Sequence, residues 1–310
     1  ETLASSSCHH GISLPYCRMS KADKLCRRFR VTDGRNFRLK DIDPDDTMKL
    51  KSREQCEQWL RQGVEMLSLL QEKLYAQDRY ALLLIFQAMD AAGKDGTIEH
   101  VMSGVNPQGC QVYSFKAPST EELDHDYLWR TNRCLPERGR IGIFNRSYYE
   151  ETLVVRVHPE ILENQRLPKK LVTGHIWKER FEDINAFERY ATRNGIVIRK
   201  FFLHVSRKEQ RKRFLERLTQ PEKNWKFSTA DAKERALWRD YMHAYEDVIQ
   251  HTSSPDAPWY VVPADHKWFT RLVVAAAVVE ALEGLNLKFP KVDRRRRKEL
   301  KAAHSMLVNE

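Results

Sequence analysis

A short segment of small and charged residues, QAMDAAGKDGT at 87–97, directly follows the apolar run ALLLIF. Its order of strand, small residues, lysine and helix start is that of a loop whose backbone N–H groups surround phosphate oxygens while the lysine reaches the outer phosphates. The match to G-x-x-x-x-G-K-[ST] is incomplete, because Ala88 replaces the first glycine and Asp95 follows Lys94 where Ser or Thr is expected. A plain strand-to-helix turn would use the same glycines and is the alternative.

Asp90 puts a carboxylate into a loop that is predicted to hold anions. An unpaired carboxylate would repel phosphate, so its presence predicts a divalent cation between the two: Mg²⁺, with Mn²⁺ as a substitute. We therefore expect Asp90 to be a metal ligand, and the alternative is an ion pair with Lys94. The remaining residues of this loop that are expected to bind phosphate or nucleotide are Ala92, Gly93, Asp95, Gly96 and Thr97.

A second polar cluster, FNRSYYEE, follows the strand candidate at 141–144. Kinases with a phosphate-binding loop usually place an acid at the end of this strand, but here Asn145 occupies that position and adds no charge. Arg146 can bind a phosphate with two nitrogens, and Glu150 supplies a carboxylate one turn later. These three are predicted site residues, whereas Glu151 is expected on a solvated helix face, which is also the alternative for Glu150.

The third cluster combines a strand lysine with a basic helix. Lys200 lies in an otherwise apolar strand and therefore needs an anion. We count it with Asp90, Lys94 and Arg146 as a candidate catalytic residue. The cation-rich segment that follows, about 207–235, comes directly after a core strand and favours a lid that closes over phosphates. A solvated basic helix explains the same segment equally well.

Composition points to the class of ligand. The 310 residues are 41% hydrophobic, which is enough for one large α/β unit with an appendage. Lys and Arg total 53 against 43 Asp and Glu, for a formal net charge of +10. This favours polyanionic partners such as nucleic acid, anionic lipid or phosphate-rich substrates, although a basic surface alone is possible for any protein in solution.

The cysteines and apolar segments indicate a cytoplasmic protein. The six cysteines form no C-x-x-C pair, and the CHH at 8–10 with Cys17 matches no zinc-ligand spacing. A reducing compartment fits this pattern better than a disulfide framework. The longest apolar runs fall below the roughly 18 residues that a membrane span needs, and the N-terminus has no apolar stretch of a secretion signal.

Alternating apolar and amphipathic segments predict an α/β fold with a mostly parallel sheet and helices on both faces, whose ligands bind at the carboxyl ends of the strands. The spacing of apolar residues predicts a surface helix over 53–77. We expect a mobile extension over 1–30, a catalytic domain over 31–290 and a solvated basic tail over 291–310. The strand candidates are 80–86, 111–115, 141–144, 196–205 and 259–262.

The motifs QAMDAAGKDGT, GVNPQG, SFKAPS, HDYLWR, IFNRSYYEETLVVRVHP, KFFLHVS, PEKNWKF and APWYVVPADHKW occur here in the order seen in the polyphosphate kinase 2 family, which the chain resembles over about 29–290. The resemblance implies a P-loop kinase-like three-layer fold and phosphoryl transfer between inorganic polyphosphate and a nucleotide with Mg²⁺. The family's site residues fall on Asp90, Gly93, Lys94, Gly96, Asn145, Arg146, Ser147, Glu150 and Lys200.

The FNRSYYEE form resembles the subgroup that phosphorylates both nucleoside monophosphates and diphosphates, which implies AMP, ADP, ATP and other nucleotides as partners. No histidine is placed as a phosphoryl carrier, so we expect direct transfer. The family also implies a homo-oligomer, and neither a membrane nor nucleic acid is an expected partner. Cations expected to bind polyphosphate are Arg211, Arg213, Arg217, Lys223 and Lys226 in the lid, followed by Lys116, Arg130 and Arg133.

Two other classes of protein remain open from the residues alone. An ATP-dependent nucleotide kinase would share the fold and the loop but would not need a basic channel. A non-enzymatic nucleic-acid-binding protein would explain the charge but not Asp90 or the loop.

Overall fold

The computed structural model of the chain describes residues 19–50, 52–225 and 227–309, with side chains from residue 24 onward. Lys226 and the CHH segment with Cys17 lie outside the described residues. In the described part of the chain six strands form one sheet in the order β1-β6-β5-β2-β4-β3, parallel except for β1 against β6. The strands are β1 (Arg30–Val31), β2 (Ala81–Gln87), β3 (Cys110–Ser114), β4 (Ile141–Asn145), β5 (Ile196–His204) and β6 (Trp259–Pro263).

Helices cover the sheet in two groups, one containing α1, α2, α3 and α13 and the other α6, α8 and α12. The helices are α1 (Met19–Arg28), α2 (Arg53–Gln77), α3 (Lys94–Val101), α4 (Thr120–Leu123), α5 (Trp129–Asn132), α6 (Val154–Val157), α7 (Glu160–Glu163), α8 (Ile176–Arg193), α9 (Arg207–Thr219), α10 (Pro221–Asn224), α11 (Thr229–Glu234), α12 (Trp238–Thr252), α13 (Lys267–Glu283) and α14 (Arg294–Val308). Single 3₁₀ turns occupy Leu39–Asp41, Pro107–Gly109, Tyr148–Glu151, Lys169–Leu171 and Arg235–Leu237.

The predicted α/β class with helices on both faces is confirmed by the burial of the central strand. Every residue of β2 is buried, which requires that both faces of the sheet be covered. The predicted helix over 53–77 coincides with α2, which Ser52 caps by accepting a hydrogen bond from the Gln55 backbone. On this helix Leu67, Leu70 and Leu74 face the core.

The order of strands determines where a ligand can bind. The chain enters the parallel sheet at β2, adds β3 and β4 on one side, and then crosses over to add β5 and β6 on the other side. The carboxyl end of β2 is therefore a topological switch point, where ligands of open α/β sheets bind. Phe86 pairs there with Asn145 of β4 and Phe201 of β5, so these strands present their ends at one edge.

The N-terminal segment differs from the sequence-based expectation. The predicted mobile extension over 1–30 is wrong for residues 19–30, because α1 packs against α13 and β1 pairs antiparallel with β6. Its part over 1–18 lies outside the described residues. Leu25, Cys26 and Phe29 are buried and join the core. Burial of these three side chains offsets the entropy of ordering the segment.

At the other end of the chain α14 is exposed along its whole length, as expected for a solvated tail. Among the described helices none has both the length and the hydropathy that crossing a bilayer requires.

Candidate active site

The loop after β2 turns directly into α3 and opens the N-terminus of that helix toward the edge of the sheet. Gly93 is the N-cap with φ of 103°, a conformation that favours glycine, and the preceding Ala91 has φ of 61°. A non-glycine residue at positive φ stores local strain, which is typical of functional loops. Thr97 is buried, and its N–H donates to the Gly93 carbonyl. The earlier N–H groups of the first turn have no partner within the helix and can bind an anion.

Lys94 folds back over this loop. Its Nζ donates to the Ala88 carbonyl oxygen at 2.9 Å. Burial lowers the pKa of Lys94, and the positive charge of Arg146 lowers it further, although Asp90 and Glu150 oppose the shift. A bound phosphate would relieve the repulsion between the two cations, so the site favours an anion between them.

Arg146 is held between two carboxylates. Its Nη2 lies 3.3 Å from Asp90 Oδ1, and its Nη1 lies 3.6 Å from Glu150 Oε2. Glu150 raises the pKa of Arg146, while burial raises the pKa of Glu150 in spite of Arg146 and Lys94. Arg146 itself has φ of 64°, and its N–H donates to the Phe86 carbonyl at the end of β2. The sequence left open an ion pair between Asp90 and Lys94. In the structure Asp90 pairs with Arg146 instead.

Asn145 links the two polar clusters. Its Nδ2 donates to Asp95 Oδ1 at 2.7 Å, which joins the end of β4 to the first turn of α3. Behind it, Ser147 is buried, and its Oγ accepts a hydrogen bond from Gln87 Nε2. The amide of Asn145 therefore holds the start of α3 in place next to Arg146.

α9 is attached to the back of the loop by Arg213. The guanidinium donates to the carbonyls of Ala91 and Ala92 at 3.1 and 2.8 Å through Nη1, and to those of Ala264 and Asp265 at 2.7 and 3.0 Å through Nη2. The residue is 4% exposed. The prediction that Arg213 binds polyphosphate is therefore wrong, since both Nη atoms donate to backbone carbonyls and Nε donates to Glu209 Oε1 at 2.9 Å.

The sequence profile described as Polyphosphate kinase 2 matches residues 49–290. The chain belongs to the polyphosphate kinase 2 family. It is 53% identical over 283 residues to an ADP-polyphosphate phosphotransferase of Rhodopseudomonas palustris, which covers 91% of this chain and 98% of that protein. It is 45% identical over 265 residues to an AMP/ADP-polyphosphate phosphotransferase of Meiothermus ruber, with coverages of 85% and 95%.

A solved polyphosphate kinase 2 structure has the same fold. The crystal structure of Polyphosphate Kinase 2 from Arthrobacter aurescens TC1 superposes with a TM-score of 0.84 at 38% identity, covering 92% of this chain and 97% of that one. The predicted P-loop kinase-like α/β architecture is confirmed by this agreement.

Two further predicted assignments in this kinase-family chain, besides that of Arg213, do not fit the structure. Lys200 is fully buried and does not reach the loop: its Nζ contacts Glu188 Oε2 at 2.6 Å and donates to the Thr252 carbonyl at 2.7 Å. The anion that a strand lysine needs is thus an internal carboxylate and not a ligand. Glu151 is not on a solvated face but buried, with Oε1 2.9 Å from Arg180 Nε.

The other predicted polyphosphate contacts are exposed to different degrees. Arg211 is exposed, whereas Arg217 is half-buried, with its guanidinium over the Phe214 ring and Nη1 3.8 Å from Asp231. Lys223 is half-buried on α10. The lid segment therefore keeps some outward-facing cations, but fewer than its composition indicates.

The three cations after β3 lie near the same sheet edge as the loop. The residue before Lys116 donates its backbone N–H to the Asn145 carbonyl, which places Lys116 beside the end of β4. Arg130 Nη1 donates to the Lys116 carbonyl at 2.8 Å, and Arg133 lies over the Trp129 ring at 4.6 Å. Of the three, Lys116 and Arg133 are exposed and available to a polyanion.

Two further cations lie near the loop, and the sequence patterns did not predict them as site residues. Lys267 and Arg271 lie on the first turns of α13, and Arg271 Nη2 would lie 3.6 Å from a Cβ added at Gly96. Burial lowers the pKa of Lys267, and Arg213, Lys223 and Arg271 lower it further. Their position directly after β6, at the same sheet edge, was the signal that could have identified them.

The carboxylates at this site fit Mg²⁺ bound together with substrate. In the described residues no three side chains of Asp, Glu, His or Cys form a complete metal cage. Mg²⁺ in phosphate sites is typically held by one or two carboxylates plus phosphates and water, so a full protein cage is not required. Asp90, whose side chain is 35% exposed, and Glu150 supply such oxygens next to the loop.

Proposed function

We propose that this chain transfers phosphoryl groups between inorganic polyphosphate and both AMP and ADP, with Mg²⁺ and without a covalent enzyme intermediate. The observation that carries the proposal is the convergence of Lys94 and Arg146 with two carboxylates at the open N-terminus of α3. The relatives from Rhodopseudomonas palustris and Meiothermus ruber, named for polyphosphate with ADP and with AMP/ADP, support the substrates.

The residues act by positioning and by neutralising charge, as phosphoryl transfer requires. Lys94 and the first N–H groups of α3 bind oxygens of the migrating phosphoryl group, and Arg146 turns from its carboxylate partners toward the same oxygens. The bond between phosphorus and the bridging donor oxygen breaks while an oxygen of the acceptor phosphate attacks in line. An acceptor phosphate is already anionic, so the step needs no general base.

Asp90 and Glu150 would hold Mg²⁺, or Mn²⁺ in its place, and the ion would supply charge neutralisation between phosphate oxygens. Asn145 and Arg213 do not take part in the chemistry. They keep the first turn of α3 and the carbonyls of the loop in place.

A donor comparison tests the proposal. Purified protein is incubated with AMP or ADP, Mg²⁺ and either long-chain polyphosphate or ATP, and the nucleotide products are separated. We expect ADP and ATP to form from AMP, and ATP from ADP, with polyphosphate as the donor. Turnover with ATP alone would indicate an ordinary nucleotide kinase, and products from only one acceptor would reject the dual specificity.

A homo-oligomer in the cytoplasm completes the proposal. Exposed apolar side chains support self-association, including Val112 on the edge strand β3 and Tyr190 on α8. Burial raises the pKa of the Cys110 thiol to about 12, so this cysteine stays protonated and unreactive at neutral pH. Light scattering after size exclusion tests the oligomer: we expect a mass above one chain, and a smaller mass for Val112→Lys.

A further inference from the structure

α14 presents a continuous row of cations on one side. Arg294, Arg297, Lys298 and Lys301 follow the spacing i, i+3, i+4 and i+7, which places them on one helix face over about 10 Å of the axis. Every residue from 288 to 309 is exposed. We call these four residues the cationic stripe.

The acidic residue of this helix does not neutralise the stripe. Glu299 is paired with Arg295 Nε at 3.2 Å and Arg296 Nη1 at 3.0 Å, and both arginines lie off the stripe. Asp293 caps the helix by accepting a hydrogen bond from the Arg296 backbone at 2.7 Å. Cations in the first turn of a helix also oppose its dipole, so a bound anion would stabilise this turn.

The stripe lies outside the catalytic unit. The family match ends at residue 290, and residues 291–310 contain seven Lys or Arg against three Asp or Glu. The segment contains no Phe, Tyr or Trp, whereas proteins that bind single-stranded nucleic acid use such aromatic side chains to stack bases. Charge without stacking groups matches a polyanion that has no bases.

We propose that the cationic stripe of α14 is an accessory binding site for long-chain inorganic polyphosphate, which holds the chain while its end occupies the active site. The inference rests on the proposed function, because polyphosphate is the donor substrate there. A second contact on the same molecule raises the effective concentration of the chain end at the loop without adding to the chemistry. Only chains long enough to reach both places gain from it.

Two double variants of the same helical turn provide a matched test. R294Q/R297Q removes two arginines from the stripe, and R295Q/R296Q removes two arginines that pair with Glu299. We expect the stripe variant to raise the KM for long-chain polyphosphate on the order of 5- to 10-fold at moderate salt, and the control to change it less than about 2-fold. The KM values for hexaphosphate and ADP should move by less than about 2-fold in both.

Other outcomes overturn the inference. If both double variants raised the KM for long-chain polyphosphate equally, net charge and not the stripe would account for the effect. If the stripe variant raised the KM for hexaphosphate as much as the KM for long-chain polyphosphate, the stripe would belong to the active site. If the stripe variant left the KM for polyphosphate unchanged, and the wild-type protein bound polyadenylate or anionic lipid vesicles more tightly than the variant did, α14 would be assigned to another partner. If the wild-type protein used neither long nor short polyphosphate, the proposed function itself would fail, which is a separable result.

Discussion

Lys94 and Arg146 are two cations that repel each other across the loop that follows β2. Such repulsion destabilises the protein unless an anion lies between them, so the loop stores part of the energy that favours phosphate binding. Asp90 and Glu150 moderate this repulsion without removing it. The residue-scale predictions follow from this balance.

Lys94→Ala should lower kcat by on the order of 10²-fold or more, because a charge that binds the migrating phosphoryl group is lost. Its Nζ donates to a carbonyl of the loop itself, that of Ala88, so the fold should survive, as thermal melting would show. Lys178→Ala, which removes an exposed lysine of α8, is the control. A rate within a few-fold of wild type would reject the assignment of this loop.

Asp90→Asn should shift the Mg²⁺ activation curve to higher concentration by on the order of tenfold. Asn keeps the size and an oxygen near Arg146 but loses the charge that attracts the metal. Activity titrated with Mg²⁺ at saturating substrate measures the shift. Superimposable curves for mutant and wild type would leave Asp90 as a partner of Arg146 alone.

The elements of the sheet could largely be predicted, whereas the directions of charged side chains could not. The strand candidate at 80–86 corresponds to β2 (Ala81–Gln87), because a fully buried strand is a continuous apolar run that sequence displays directly. α9 is different: it is basic all round, so composition does not reveal that Arg213 points inward while Arg211 points to solvent. β1 has only two residues and gives no pattern at all.

Arg213→Lys should therefore damage stability rather than polyphosphate affinity. One ammonium cannot reach four carbonyls on two loops, and the buried acceptors left unpaired cost about 2–4 kcal/mol in the free energy of unfolding. Urea unfolding measures this cost, and Arg211→Lys on the outer face serves as the control. Loss of polyphosphate affinity with unchanged stability would restore the sequence-based interpretation of this residue.

At the scale of the whole molecule, low pH should reduce the free energy of unfolding, because His204 at the end of β5 is buried. Burial lowers the pKa of His204 to about 4 from 6.5, although Asp43 acts in the opposite direction. Between these pH values the unfolded chain binds a proton that the folded chain does not. Stability is therefore lost as pH falls from about 6.5 toward 4, by up to about 3 kcal/mol.

Urea unfolding of wild type and His204→Gln across this pH range isolates the effect. We expect a shallower dependence on pH in the variant, while His100→Gln on the exposed face of α3 should follow the wild type. Parallel curves for wild type and His204→Gln would mean that other groups account for the acid sensitivity.

The buried pair of Lys200 and Glu188 restricts how this sequence can change over time. Each single replacement, such as Lys200→Met or Glu188→Leu, leaves an uncompensated charge in the core and should cost about 3–5 kcal/mol. The two phenols of Tyr148 and Tyr149 also donate to Glu188, at 2.8 Å each, so the double replacement should recover only part of that cost in a double-mutant cycle. Replacing Tyr148 and Tyr149 with phenylalanine as well should recover most of the loss in the free energy of unfolding that the double replacement leaves. The effect of a substitution at any of these four positions therefore depends on the residues at the other three. A related sequence could lose the buried pair only through poorly folded intermediates or by several substitutions at once.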